Sequence, residues 1–508
     1  MSRPDLPLDH VTPYDRFALS DADIERLLVS GDHEKDLIAY FGPEEYQDLA
    51  RLARQAAATP VKDAGLRVIL VPGIMGSQLG LLRTPPLPND VLWVDPIDIQ
   101  LGRLANLRLS GQSDTAEPGT PRTGMVQPDT PQANIVSLGV VIYSYLKLKL
   151  RLRAAGFAAA FHDYDWRLGV DELGRSFAAR LRNEPCERLA IVAHSMGGLV
   201  SRAAVVLPGA ERVQRVILLG TPNYGSFATI QALRGTYAVV RKLARLAGGA
   251  TAESLAGEVF NTFPSLYQML PAAKASDGTD LFDAAAWPTS GPRPDPALLQ
   301  HARTVQSGLA QPDSRFACIV GIGQETVTSV RRRNDDFVYT ITRHGDGTVP
   351  AISAALPGAS AHYAPVAHSD LTRDPVVAAA VADLLSAGST RQLPTRWAST
   401  SRAQAQITDR QLRRTHTQKV DWAALEPEQR RLFLQDLNEP PELELRVPGK
   451  AKARKRRKTR ATAESRAKPK PTTPAASKPR AKSKAAPRAA SKARATKHKR
   501  GKARSRRR

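Results

Sequence analysis

The chain has 508 residues and a formal net charge of +24, but that charge is unevenly placed. Residues 449–508 carry 13 Lys and 13 Arg against the single acid Glu464, and the rest of the chain lies within one charge of neutrality. A wholly basic nucleic-acid-binding fold is thereby excluded, and two cysteines, Cys186 and Cys318, exclude a disulfide scaffold. Each cysteine borders an apolar run and reads as a buried reduced thiol. No run of about 18 apolar residues marks a membrane span, and residues 1–20 lack the apolar centre of a secretory signal. The expected compartment is the cytoplasm, with peripheral attachment to a membrane surface left open.

Residues 1–64 read as a polar helical extension, with Asp21–Val29 and Pro43–Ala58 the stronger segments. Leu66–Val71 is an unbroken apolar run, the mark of a strand buried on both faces. It closes in Pro72-Gly73-Ile74-Met75-Gly76-Ser77. Residues 84–130 are rich in Pro, Gly, Asp and Thr and read as a lid-like excursion over the core rather than part of it. Residues 137–155 are ambiguous, because Leu146–Arg153 alternates strictly, as a strand would. A helix ending at Ala154-Ala155-Gly156, then a strand at Phe157–Tyr164, is preferred, since strand and helix must alternate in a parallel sheet.

Glu187–Val192 is a further apolar strand, Ala193–Gly198 a tight turn and Leu199–Leu207 a helix. This is a nucleophile elbow, with Ser195 at its apex and small residues two before and two after it. Val213–Leu219 is another strand. Residues 226–312 are helical but broken by Pro and Gly, as an inserted cap would be. Strand character returns at Phe316–Gly321 and Phe337–Thr342. Gly345-Asp346-Gly347 then places an acid in an exposed tight turn, free to reach a neighbour. His368 follows an apolar run and precedes a last amphipathic helix at Asp374–Leu385. Residues 389–448 read as a polar extension, helical at Asp409–Lys419 and Pro427–Leu437, with no function assigned.

The order Ser195, Asp346, His368 is that of α/β-hydrolases. His368 would take the serine proton while Asp346 fixes the imidazole tautomer. His344 adjoins the acid and His362 precedes a strand, so both read as structural, and Asp370 reads as a helix-start residue. The oxyanion hole is assigned to the backbone N–H of Met196 and of Met75, with Ile74 as the alternative. The expected fold is a mostly parallel central sheet with helices on both faces, spanning about residues 65–388, with cap segments inserted. No metal or cofactor is expected.

Four segments carry a family resemblance: Val71–Ser77, Tyr164-Asp165-Trp166-Arg167, Ala193–Gly198 and Gly345-Asp346-Gly347-Thr348-Val349-Pro350. Together they resemble the lecithin:cholesterol acyltransferase-like branch of α/β-hydrolases, which includes phospholipid:diacylglycerol acyltransferases and related lipases. The resemblance implies an oxyanion donor at Met75 and an acyl pocket lined near Asp165 and Trp166, although Trp166 reads equally as a core aromatic. It also makes Leu92-Trp93-Val94-Asp95 the start of a mobile lid, with Trp93 near substrate. Extracellular members brace that lid with a disulfide for which this chain has no cysteines.

Residues 449–508 contain no aromatic, Leu, Ile or Val, so they can bury no core and are expected to be disordered. Their charge suits nucleic acid, through counterion release, or an anionic membrane surface, at about 1 kcal/mol per cationic residue. The leading expectation is a serine-dependent acyl hydrolase or acyltransferase acting on lipid esters. The alternative is a polyanion-binding protein that keeps a hydrolase fold as scaffold, in which loss of Ser195 would change nothing. Acyl donor, acceptor and oligomeric state stay open.

Overall fold

A computed structural model describes residues 19–83, 89–109, 135–272, 278–398 and 404–414, with shorter pieces at 419–422, 424–426, 428–430 and 432–433. The basic tail and most of the predicted lid excursion lie outside the described residues. In chain order the first elements are helices α1 (Asp21–Ser30), α2 (Glu34–Phe41) and α3 (Pro43–Ala58), then strands β1 (Leu66–Val71), β2 (Ser77–Leu81) and β3 (Asp90–Trp93). There follow α4 (Pro96–Gln100), β4 (Ile135–Val140), α5 (Ile142–Ala154), β5 (Ala158–Phe161), α6 (Val170–Asn183), β6 (Arg188–His194), α7 (Met196–Ala204) and β7 (Val213–Leu219). The cap contributes α8 (Phe227–Leu233), α9 (Ala238–Leu246), α10 (Ala252–Glu258), α11 (Pro264–Gln268) and α12 (Pro296–Ser307). The chain then forms β8 (Phe316–Gly321), β9 (Thr326–Arg333), β10 (Asp336–Thr342), α13 (Ala351–Ala354), β11 (Ser360–Ala364), α14 (Pro375–Ala387), β12 (Ala405–Thr408) and α15 (Asp409–Arg414).

Six strands make the central sheet, in the order β11-β8-β7-β6-β1-β5, with every neighbouring pair parallel. Its strands are apolar on both sides because both faces are covered. Ile69, Val71, Ile191 and Ala193 point into a large cluster that reaches α6, α7 and the cap. Val68, Leu70, Ala190 and Val192 point into a second cluster with α5 and α14. The chain is an α/β-hydrolase fold.

Helix α5 explains the misleading alternation at 146–153. Leu146 and Leu150 pack against the N-terminal helices α1 to α3, while Leu148 and Leu152 pack against the sheet. Residues two apart lie about 200° round a helix, so leucine at every second position serves a helix buried on two opposite sides. Each such leucine contributes about 1.5–3 kcal/mol through burial. Lys147 and Lys149 pair with Glu45 and with Asp21 and Glu25 at the edges of the same contact.

Several expectations are corrected. The first residues of the 137–155 window are not helical: Ile135–Val140 is a strand, paired antiparallel with β2, and β2 also pairs with β3. Residues 90–107 are built into the core rather than laid over it, with Trp93, Ile99, Leu104 and Leu107 all buried. The helix after the elbow starts at Met196, not at Leu199. The strand at 336–342 belongs to a separate antiparallel sheet, β12-β10-β9, whose other two members went unread. That sheet and α1 to α3 lie in the same compact unit as the central sheet, a unit that ends at Glu444.

Candidate active site

All the site residues sit beyond the carboxyl ends of the parallel strands, the usual place for ligands in such a sheet. β6 runs to His194, and Ser195 follows with φ 53° and ψ −128°. This sharp, strained turn lifts the hydroxyl out of the strand direction. Small neighbours are required: a Cβ on Gly197 would lie 2.3 Å from the Pro72 carbonyl oxygen, and Ala193 is fully buried.

Asp346 comes to the same edge by a detour. After β8 the chain makes the β9–β10 hairpin and returns. The carboxylate is fully buried, not exposed as the sequence suggested. Its Oδ1 accepts from the backbone N–H of Thr348 (2.9 Å) and Val349 (2.7 Å). Its Oδ2 lies 2.7 Å from His368 Nδ1. Gly220, at the end of β7, leaves room for this pair, since a Cβ there would lie 3.1 Å from both Asp346 Oδ2 and His368 Nδ1.

His368 opens a short 3-10 turn after β11, and its own N–H donates to the Asp346 carbonyl (2.9 Å). An ionised carboxylate only accepts, so Nδ1 carries the ring proton and Nε2 is left as the acceptor. The Ser195 hydroxyl lies 2.9 Å from that Nε2. The structure thus brings Ser195, His368 and Asp346 into one hydrogen-bonded line. Neither competitor joins it: His362 is buried in β11 and His344 packs edge-on against Trp397.

A cavity opens on Ser195, with about 650 Å³ of space, part of it open to solvent. Ile74 and Met75 form its wall beside the serine, and Trp166 lines it as well. The opposite wall comes from the cap, including Ala232 of α8, Val240 and Leu243 of α9, Phe263 and Leu266. Apart from that of Ser195, the hydroxyls along it have partners: Ser226 donates to the Thr348 carbonyl (2.5 Å), Thr229 to the Ser226 carbonyl (2.8 Å), and Tyr237 pairs with the Thr348 side chain. What remains facing the cavity is apolar.

Met75 has φ 62°, and its carbonyl accepts from the Trp93 indole N–H (3.0 Å). Met196 is the first residue of α7, where backbone N–H groups have no partner within the helix. Two residues implied by the resemblance do not line the cavity. Asp165 is engaged by the Arg167 guanidinium (2.9 and 2.6 Å), which also donates to the Leu107 carbonyl. Trp93 stands behind the wall, edge-on to Trp166 at 5.4 Å between centroids. Both brace the wall rather than face a ligand. The cap side chains were not singled out in the sequence, because an apolar position in a broken helical segment carries no mark of the cavity it will face.

Residues 176–253 match a family model described as a PGAP1-like alpha/beta domain. That stretch holds β6, the elbow and β7 but stops before Asp346 and His368. No curated protein matches the chain. Among solved structures, the mature lipase BlEst2 of Bacillus licheniformis is 15% identical over 62% of this chain and 90% of its own, with TM-score 0.31. A chain of a Tle4–Tli4 complex is 14% identical over 63% of this chain and 98% of its own, at 0.37. Phospholipase PlaB of Legionella pneumophila is 13% identical over 57% and 46%, at 0.25.

Proposed function

We propose that the protein is a serine-dependent acyl hydrolase acting on lipid esters. The observation that carries this is an apolar cavity opening on a serine whose hydroxyl lies 2.9 Å from an imidazole nitrogen oriented by a buried carboxylate. Ser195 Oγ attacks the ester carbonyl carbon as His368 Nε2 takes its proton. Asp346 stabilises the resulting imidazolium. The backbone N–H groups of Met196 and Met75 receive the oxyanion, each worth about 2.7–4 kcal/mol of barrier. Collapse releases the alcohol, which takes the proton from His368, and leaves the acyl group on Ser195. Water, deprotonated by His368, then releases the carboxylic acid. An alcohol in place of water would give acyl transfer from the same acyl-enzyme, the reaction of the acyltransferases within the family that the four sequence segments resemble.

Hydrolysis of chromogenic acyl esters of graded chain length tests this. The native protein should favour long chains, and Ser195→Ala should lower kcat by about a millionfold. Equal rates in the two proteins would overturn the reading. In that case the +25 charge of residues 449–508 would favour a polyanion-binding scaffold whose binding survives the substitution.

A further inference from the structure

One buried titratable group beside the reacting atoms that this mechanism leaves unused is His194, immediately before the nucleophile. Its Nδ1 lies 3.0 Å from the Tyr145 hydroxyl, and its Nε2 lies 3.0 Å from the main-chain carbonyl oxygen of His368. The same Tyr145 hydroxyl accepts the N–H of Gly73 at 2.8 Å. Chemistry fixes the direction of each bond. The Gly73 N–H can only donate, and the His368 carbonyl can only accept. His194 therefore carries its proton on Nε2, its Nδ1 accepts, and the Tyr145 hydroxyl hydrogen points at it. One directed run of hydrogen bonds links the loop after β1, the elbow and the backbone of the base.

Three parts of the site that come from distant stretches of the chain are thereby held in register. The loop carries Ile74 and Met75, the elbow carries Ser195, and His368 is the base. Tyr145 and His194 are both buried, so these bonds are shielded from bulk solvent. Burial, and after it the neighbouring His368 ring, hold His194 well below the ordinary histidine range. It therefore stays neutral while His368 accepts the serine proton. That matters because the two rings are 4.7 Å apart, and a second cation there would oppose the imidazolium.

We propose that Tyr145 and His194 are positioning residues that set the oxyanion loop and the base relative to Ser195. The inference rests on the reading of Ser195, Asp346 and His368 as the reacting groups. Tyr145→Phe removes one oxygen and keeps the ring. His194→Gln keeps an amide N–H within reach of the His368 carbonyl, whereas His194→Leu keeps none. For each variant we would measure kcat and KM on a chromogenic ester, the rate of Ser195 labelling by a fluorophosphonate, and Tm.

Tyr145→Phe should lose roughly ten- to hundredfold in kcat and in labelling rate, the scale of a misplacement of about 1 Å. KM should stay within about twofold, because the apolar cavity is untouched. His194→Gln should recover a large part of what His194→Leu loses. Variants with lowered Tm but native kcat would show that the pair only packs the fold, and would overturn the inference. If the native protein itself neither turns over esters nor labels at Ser195, the reading beneath the inference fails and takes it along. If the native protein is active and all three variants match it, the positioning inference alone falls.

Discussion

At the scale of single residues, the site depends on which groups are kept neutral by burial. His162 shows the same effect away from the chemistry. Its ring stacks on Phe177 at 4.3 Å and its Nδ1 accepts from Arg180 at 3.0 Å. Burial, and then the Arg180 charge, push it down to about 3. The sign follows from linkage. Below the ordinary histidine value of about 6.5 the unfolded chain takes a proton that the folded one refuses, so stability falls as pH falls. Above that value the contribution is complete; between about 6.5 and 3 the loss approaches roughly 1.4 kcal/mol per pH unit. Denaturant midpoints between pH 7 and 5 should therefore decline, and His162→Gln should decline less steeply by the equivalent of one proton. Parallel slopes in the two proteins would show that His162 is not the source.

Residue-level legibility was high where the chemistry is local. Ser195 could be placed because the elbow needs small residues at fixed offsets. Asp346 could be placed from its two flanking glycines, although its burial could not. Inside the fold its Oδ1 accepts from Thr348 and Val349 of its own turn, and Thr326 of β9 accepts the N–H of the next residue, Gly347. Tyr145 went unnoticed because, within α5, it is one apolar position among many. Its partners Gly73 and His194 lie 72 residues before it and 49 after it.

At the scale of elements, the cap is held by the chain that follows the hydrolase core. Arg234, just after α8, pairs with Asp409 at 2.8 Å, and both are fully buried. The guanidinium also donates to the carbonyls of Pro288, Ser290 and Pro292, while Asp409 accepts from Tyr339 (2.6 Å) and Thr236 (3.2 Å). Farther on, the Lys419 ammonium donates to the carbonyls of Ala244 and Ala247 at the end of α9, and of Ala250 in the loop beyond it. It therefore satisfies groups that a helix C-terminus leaves open. Asp409→Ala strands a buried guanidinium and should cost about 3–5 kcal/mol of unfolding free energy. Urea unfolding would read this directly, and a loss below about 1 kcal/mol, the range of an exposed pair, would show that the pair is solvated. The sequence marked 389–448 as a polar, partly helical extension and no more, because a single Asp among many acids does not announce a partner 175 residues away.

At the scale of the whole molecule, the near-neutral α/β unit and the basic sequence beyond it separate cleanly in charge. The unit ends at Glu444. Among the described residues, no helix is long and apolar enough to cross a membrane. A chain ending at Glu444 should keep the Tm and the ester hydrolysis of the full protein. It should lose binding to DNA or to anionic vesicles. In the full chain such binding should weaken by about 10³-fold or more between 50 and 200 mM salt, as expected when many phosphates are neutralised. Salt-independent binding, or binding retained by the truncated chain, would place the partner surface elsewhere.

The sequence by itself determined what depends on near neighbours: the apolar runs that become buried parallel strands, the bend at Ser195, the acid between two glycines and the basic composition of the last 60 residues. Only the tertiary structure decided what depends on distant segments meeting. It moved Asp165 and Trp93 behind the cavity wall, made the cap the opposite wall, buried Asp346 and joined Gly73, Tyr145, His194 and His368 in one run of hydrogen bonds. The physical reason is range. Backbone strain and periodicity are set by a few adjacent residues, whereas burial and hydrogen-bond partnership are set by whatever the closed fold brings within about 3 Å.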